Sequence, residues 1–212
     1  LVATESAIRE QICLFGKSLY DRGLTHGSTG NISVRLDDGC LLLTPTNSSL
    51  GFLDPARLSL VDTNGQLLSG DKPTKEMALH SAFYESRGAR AGAVVHLHSH
   101  HSVKLSVMDW VDPDSMLPPI TPYPLMKLGK VALLPYYAPG DIQMGQAIRD
   151  LGGERSAVVF ANHGPVVAAQ DLPSSVYAME ELEAAAYLAL DTRGANIRML
   201  TSAQVEALLR MK

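Results

Sequence analysis

Cysteine is scarce in this chain. Cys13 and Cys40 are the two it has, far apart and in no paired pattern. There is thus no redox motif and no thiolate zinc site, and the usage suits a reducing, cytoplasmic setting. A basic excess is missing too. Lys and Arg number 18 against 22 Asp and Glu, a formal charge of −4, which gives no footprint for nucleic acid. A phosphorylated ligand would have to find locally placed donors. No apolar run approaches a membrane span. The opening LVATESAIREQICLFGKSLY, with Glu5, Arg9 and Glu10 among apolar residues, reads as an amphipathic helix and not as a signal peptide. Internal repeats, low-complexity tracts and charged linkers are also lacking. The remainder, 46% hydrophobic and 19% charged, is ordinary for a globular protein and is expected to form one domain, residues 1–212.

What is present alternates between helix and strand signals. Residues 4–22 have helical spacing closed by Gly23. HGSTGNISVRL passes from a polar turn into a strand, Asp37-Asp38-Gly39 marks a hairpin, and CLLLTPT is its return. LSLVD, Asn64-Gly65 and QLLSG form a second hairpin. The spacing from Thr74 to about Arg87 predicts a helix, and AGAVVHLHS a buried strand. VALLPYY is a strand, GDIQMGQAIRDLG a helix, and SAVVFANHGPVVAA a strand–turn–strand with Gly164-Pro165 at the turn. A long helix from Ser174 to about Arg193 and a terminal one, SAQVEALLRMK, complete the chain. This mixture predicts the α/β class, specifically an αβα sandwich with a mostly antiparallel or mixed central sheet flanked by helices.

Histidine is where the chain concentrates chemistry. Four of its seven histidines fall in HLHSHHS, residues 96–102. Alternate strand residues share a face, so His96 and His98 are expected to project side by side. His100 would continue that alternation and His101 would point the other way. A catalytic zinc takes about three protein ligands and keeps an open position; His163, at a strand end in FANHGPV, is the candidate third. Imidazoles also suit manganese or cobalt, and buried histidines can equally be hydrogen-bonded core groups. His26 reads as a loop brace. His80, four residues after Glu76 on one helical face, reads as packing or support. A lone glutamate at a helix start, like Glu76, is explained by the helix dipole, but beside a metal it can carry a proton.

Three polar loops accompany these ligands. Ser28-Thr29-Gly30-Asn31 and Thr44-Pro45-Thr46-Asn47-Ser48-Ser49 offer hydroxyls and backbone N–H groups, the makings of an anion nest. Lys72-Pro73-Thr74-Lys75 lies at a helix start, where N–H groups suit phosphate. Each alone is ordinarily a turn.

Taken in order, GSTGNISVR, LTPTN, KPTKE, HLHSHHS and ANHG resemble the class II aldolase/adducin family, over nearly the whole chain. Within it, TPTNSSLGFLDPARLS and SGDKPTKEMALH look most like the 3-oxo-tetronate 4-phosphate decarboxylase branch. The resemblance implies a homotetramer with intersubunit active sites and a zinc ion on His96, His98 and His163. Glu76 would be the acid/base that also completes the metal shell, and Tyr123 a proton donor to the neighbouring subunit's site. Gly30, Asn31, Thr46, Asn47, Thr74 and Lys75 match phosphate- and substrate-binding positions. The implied activity is loss of CO2 from a phosphorylated sugar acid through a metal-bound enediolate, giving dihydroxyacetone phosphate. Sugar-phosphate aldol cleavage, pentulose-phosphate 4-epimerisation and an adducin-like binding role are the alternatives within the same family. Two departures stand out: Lys75 where the aldolases carry a small hydroxyl residue, and Asn47 where they tend to carry glycine. The lysine suits a substrate bearing a carboxylate as well as a phosphate.

Overall fold

The computed structural model describes residues 4–211; the ends of the expected 1–212 unit, including the last residue of the terminal helix segment, lie outside the described residues. Eight strands form the sheet: β1 (Asn31–Arg35), β2 (Leu41–Leu43), β3 (Ser59–Val61), β4 (Leu67–Ser69), β5 (Ala93–His96), β6 (Ala132–Leu134), β7 (Ala157–Phe160) and β8 (Gly164–Ala169). Their spatial order is β4-β3-β2-β1-β5-β8-β7-β6. Every pairing is antiparallel except β6 with β7, so the expected mixed sheet is found. The helices are α1 (Glu5–Asp21), α2 (Met77–Arg87), α3 (His100–Ser106), α4 (Pro122–Leu128), α5 (Gln143–Arg149), α6 (Leu172–Asp191) and α7 (Ser202–Leu209).

Local chemistry starts the longer helices. Thr4 accepts from the Ala7 N–H, and Asp171 from the Ser174 N–H ahead of a proline in the first turn of α6. Thr201 and Gln204 make a reciprocal capping box for α7. Strand alternation then divides the core in two. Ile32, Val34, Val95, Val159 and Val167 face one way, against Ile12 and Leu19 of α1 and Val176, Met179 and Leu182 of α6. Val94, Val158, Phe160 and Val166 face the other way, against Leu79 and Phe83 of α2 and Met144 and Ile148 of α5. Each such side chain contributes about 1.5–3 kcal/mol when buried. Two helical layers on one sheet confirm the αβα sandwich.

This topology also makes a site. In an antiparallel ladder, the start of one strand lies beside the end of its neighbour. The start of β1, the ends of β2, β5 and β7 and the start of β8 therefore gather at one edge, with Asn31 opposite His96 and His96 opposite Val166.

Three local expectations need correction. The histidine run is not one strand: β5 ends at His96 and α3 begins at His100. Glu183 of α6 holds the new helix start, accepting the backbone N–H groups of His101 and Ser102 and the Ser102 hydroxyl, a carboxylate on a helix N-terminus. The tight turn between β7 and β8 is Ala161–His163, and Gly164-Pro165 already belong to β8. Finally, α2 starts at Met77 and not Thr74, because Lys72 and Pro73 are held in a loop pairing with Thr46 and Pro45. No helix among the described residues is long and apolar enough to cross a membrane.

Candidate metal centre and anion cradle

Glu76, His96, His98 and His163 converge. One ligand atom from each lies within 4.8 Å of all the others. His96 ends β5, His98 follows two residues later, His163 closes the β7–β8 turn and Glu76 is the residue before α2. Nε2 of His96 is 3.1 Å from Nε2 of His98 and 3.3 Å from Oε2 of Glu76, and Nε2 of His163 is 3.1 Å from Oε1 of Glu76. Ligand atoms on a tetrahedral ion at zinc–nitrogen distance are about 3.3 Å apart, so these spacings suit a cation among them.

Two observations carry the fit. His96 places Nδ1 2.8 Å from the Pro165 carbonyl; the proton therefore sits on Nδ1 and the Nε2 lone pair faces the cluster. His163 is buried, its Nδ1 has no hydrogen-bond partner, and its Nε2 meets the Glu76 carboxylate at 3.1 Å without hydrogen-bond geometry. Buried polar atoms are normally paired, and a metal ligand is the exception with a purpose. Burial, then the neighbouring histidines, hold His98 down to about 3, and burial likewise lowers His96. Both rings thus stay neutral, as ligands must. For Glu76, burial would raise the pKa, but contact with His163 and the Asn31 amide outweighs it and holds the carboxyl well below the usual range. Asn31 donates Nδ2–H to Oε2 at 2.8 Å. The Glu76 side chain makes no cap bond to its own helix; its oxygens face Asn31, His96 and His163 instead.

Glycine lets the turn reach the ligands. A Cβ on Gly164 would stand 2.3 Å from the Leu97 carbonyl, so only glycine allows β8 to start that close to the histidine loop and present His163.

Next to the cluster lies a cavity of about 170 Å³. All six residues that the resemblance implies for phosphate and substrate line it: Gly30 and Asn31, Thr46 and Asn47, Thr74 and Lys75. Glu76 and His98 line it too, while His96 and His163 are buried behind them. Its volume suits a small polar ligand and is below that of a pocket for a drug-sized one. Asn47 has φ of 57°, a left-handed backbone that favours glycine and that asparagine tolerates. That explains physically why this chain can depart from glycine there. Pro139 and Gly140 complete the wall; only a Pro-Gly turn signal marks them in the sequence.

Other histidines fall outside. His26 and His100 are exposed, and the His26 carbonyl braces its loop by accepting from Thr29. Nδ1 of His101 lies 2.8 Å from Glu183, beside the Tyr187 ring. His80 is fully buried behind Asn31, the supporting place its spacing suggested. Tyr123 sits in the first turn of α4, 58% exposed, and is not in the cavity wall. Within one chain the structure does not bring it to the cluster.

A His/Glu cluster able to bind a metal, at the sheet end of an αβα sandwich and beside a polar cradle, suits metal-assisted chemistry on a small polar substrate. Comparison with known proteins gives the family. The family described as Class II Aldolase and Adducin N-terminal domain matches residues 10–190, and the chain belongs to it. It is 44% identical over 204 residues to the 3-oxo-tetronate 4-phosphate decarboxylase of Escherichia coli O6:H1, covering 96% of each chain. Identity to an L-fuculose phosphate aldolase of Methanococcus maripaludis is 32% over 170 residues, or 80% of this chain and 89% of that one. The crystal structure of YgbL from Escherichia coli superimposes with a TM-score of 0.94 at 42% identity, covering 97% of this chain and 99% of that one.

Proposed function

We propose that this chain is a carboxy-lyase that converts 3-oxo-tetronate 4-phosphate to dihydroxyacetone phosphate and CO2, with zinc on His96, His98, His163 and Glu76. The observation that carries the reading is the shared cavity wall: the cradle residues, Glu76 and His98 surround one space. The greater identity to the decarboxylase than to the aldolase supports the choice of leaving group.

The metal, when bound, supplies Lewis-acid stabilisation of the negative charge that develops on the substrate's oxygens. The residues of the chain do the rest. Gly30, Asn31, Thr46, Asn47 and Thr74 receive the phosphate, and Lys75 meets the carboxylate end. The bond between the carboxylate carbon and its neighbour breaks, CO2 leaves, and the electron pair stays on the remaining three-carbon unit. One proton, taken up from solvent and passed by a Glu76 carboxylate oxygen, completes that carbon and gives dihydroxyacetone phosphate. Glu76 enters the reaction ionised, and the proton it accepts from solvent is the one it passes to that carbon.

We also place the chain in a cytoplasmic, single-domain homotetramer in which Tyr123 serves a neighbouring subunit as proton donor. Exposed Phe52, Tyr123, Tyr136 and Ile142 are large apolar side chains suited to such contacts. The test is product accounting. The expected result is one CO2 per dihydroxyacetone phosphate from the 3-oxo acid and no aldehyde from fuculose 1-phosphate. Aldehyde release without CO2 would move the assignment to the aldolases.

A further inference from the structure

The register of β1 against α2 holds more than the ligands use. On β1, Asn31, Ser33 and Arg35 share the face turned to α2, while Ile32 and Val34 enter the opposite core. At the start of and along α2, Glu76, His80 and Tyr84 recur every fourth residue. Four helical residues rise about 6.0 Å and two strand residues about 6.6 Å, so the two series stay in step. The result is a buried ladder. Nδ2 of Asn31 is 2.8 Å from Glu76, Oδ1 of Asn31 bonds Nε2 of His80, and Nδ1 of His80 is 2.7 Å from the Ser33 hydroxyl. The Ser33 hydroxyl is in turn 2.7 Å from the Tyr84 hydroxyl. The Arg35 guanidinium lies 5.3 Å from the Tyr84 ring centre.

We propose that His80, with Ser33 and Tyr84, is a positioning residue that fixes the Asn31 amide so that its NH2 group faces Glu76. The donor directions follow from one end. An ionised carboxylate only accepts, so Asn31 must offer Nδ2 to Glu76 and turn Oδ1 to His80. Nε2 of His80 must then carry the proton, which leaves Nδ1 to accept from Ser33. The Ser33 oxygen, having given its proton, accepts from Tyr84. Every member has one allowed role, and a flipped amide would set two acceptor oxygens against each other at Glu76. The ladder orients and does not conduct, because a proton cannot pass through an amide without changing its bonding. Its effect is to hold Oε2 in place while Oε1, on the His163 side of the cluster, is turned toward a metal or a substrate proton.

This rests on the reading of Glu76 as metal ligand and proton carrier, but its test does not depend on the substrate. Neutron diffraction from the perdeuterated full chain should show the His80 deuteron on Nε2 and the Tyr84 deuteron directed at Ser33. Zinc affinity, measured by competition with a chromogenic chelator, is expected to fall about tenfold in His80→Leu, at the low end for groups that support a ligand. His80→Gln, whose amide can donate to Asn31 and accept from Ser33, should recover most of it. A deuteron on Nδ1, or equal affinities in wild type and His80→Leu, overturns the proposal. If His80→Leu does not fold, the neutron result and the affinity of His80→Gln decide. Absence of CO2 release would refute the substrate assignment while leaving both readouts intact.

Discussion

His163 offers the sharpest separation of a ligand from a core histidine. Its ring is buried with Nδ1 unpartnered, and an unpaired buried group costs about 1–3 kcal/mol. Replacement by leucine, of similar size, removes that cost but also removes the 3.1 Å approach of Nε2 to Glu76. The two changes oppose one another. Without metal, His163→Leu is expected to lie within about 1 kcal/mol of wild type, or roughly 2–4 °C in Tm for a chain this long. Zinc reverses the comparison. At a hundred times its Kd it stabilises a protein that binds it by about 2.7 kcal/mol, and the variant should gain little of that. The assay is thermal unfolding of both proteins, in chelator and in saturating zinc, at one protomer concentration. A variant that keeps the wild-type zinc shift, or that loses more than about 3 kcal/mol in chelator, would show His163 to be a structural residue and refute the reasoning.

Other outcomes are equally concrete. Glu76→Gln should lower kcat by about 10²–10⁴ in a steady-state assay, with the fold unchanged by circular dichroism. Burial holds His80 at about 3. Between its ordinary value near 6.5 and that figure, the unfolded chain takes up a proton that the folded chain refuses. Stability should therefore fall as pH falls through that window, by up to about 5 kcal/mol from this residue; urea titrations from pH 7 to 4 would show a shallower slope in His80→Gln. Gly164→Ala, whose Cβ would meet the Leu97 carbonyl at 2.3 Å, should be destabilised by at least about 2 kcal/mol and bind zinc more weakly. Lys75→Ala should raise KM for the 3-oxo acid phosphate; an unchanged KM would remove the lysine from carboxylate recognition.

Much of the site was legible because its signals are local. The His96 and His98 pair, His163 beside a glycine, and Glu76 ahead of a helix each survive as expected neighbours. The strand alternation offered for His98 was nevertheless the wrong cause. The chain leaves the sheet after His96, and Glu183, 82 residues after His101, accepts the backbone N–H groups that begin α3. A partner that distant in sequence leaves no periodic trace. The same holds for Pro139 and Gly140, which reach the cavity through tertiary packing. Of the ladder behind Glu76, only the four-residue step from Glu76 to His80 was visible in the sequence. Only the register of β1 on α2 shows that the two series meet. Tyr123 stays apart from the cluster because one chain does not contain the subunit it is proposed to serve.

The most direct test of the account is a crystal of the zinc-loaded protein soaked with the phosphorylated acid, with the metal located by anomalous scattering. The expected result is one metal within about 2.0–2.2 Å of nitrogens from His96, His98 and His163, and a phosphate against Gly30, Asn31, Thr46, Asn47 and Thr74. A metal bound elsewhere, or a ligand outside that cavity, would contradict it.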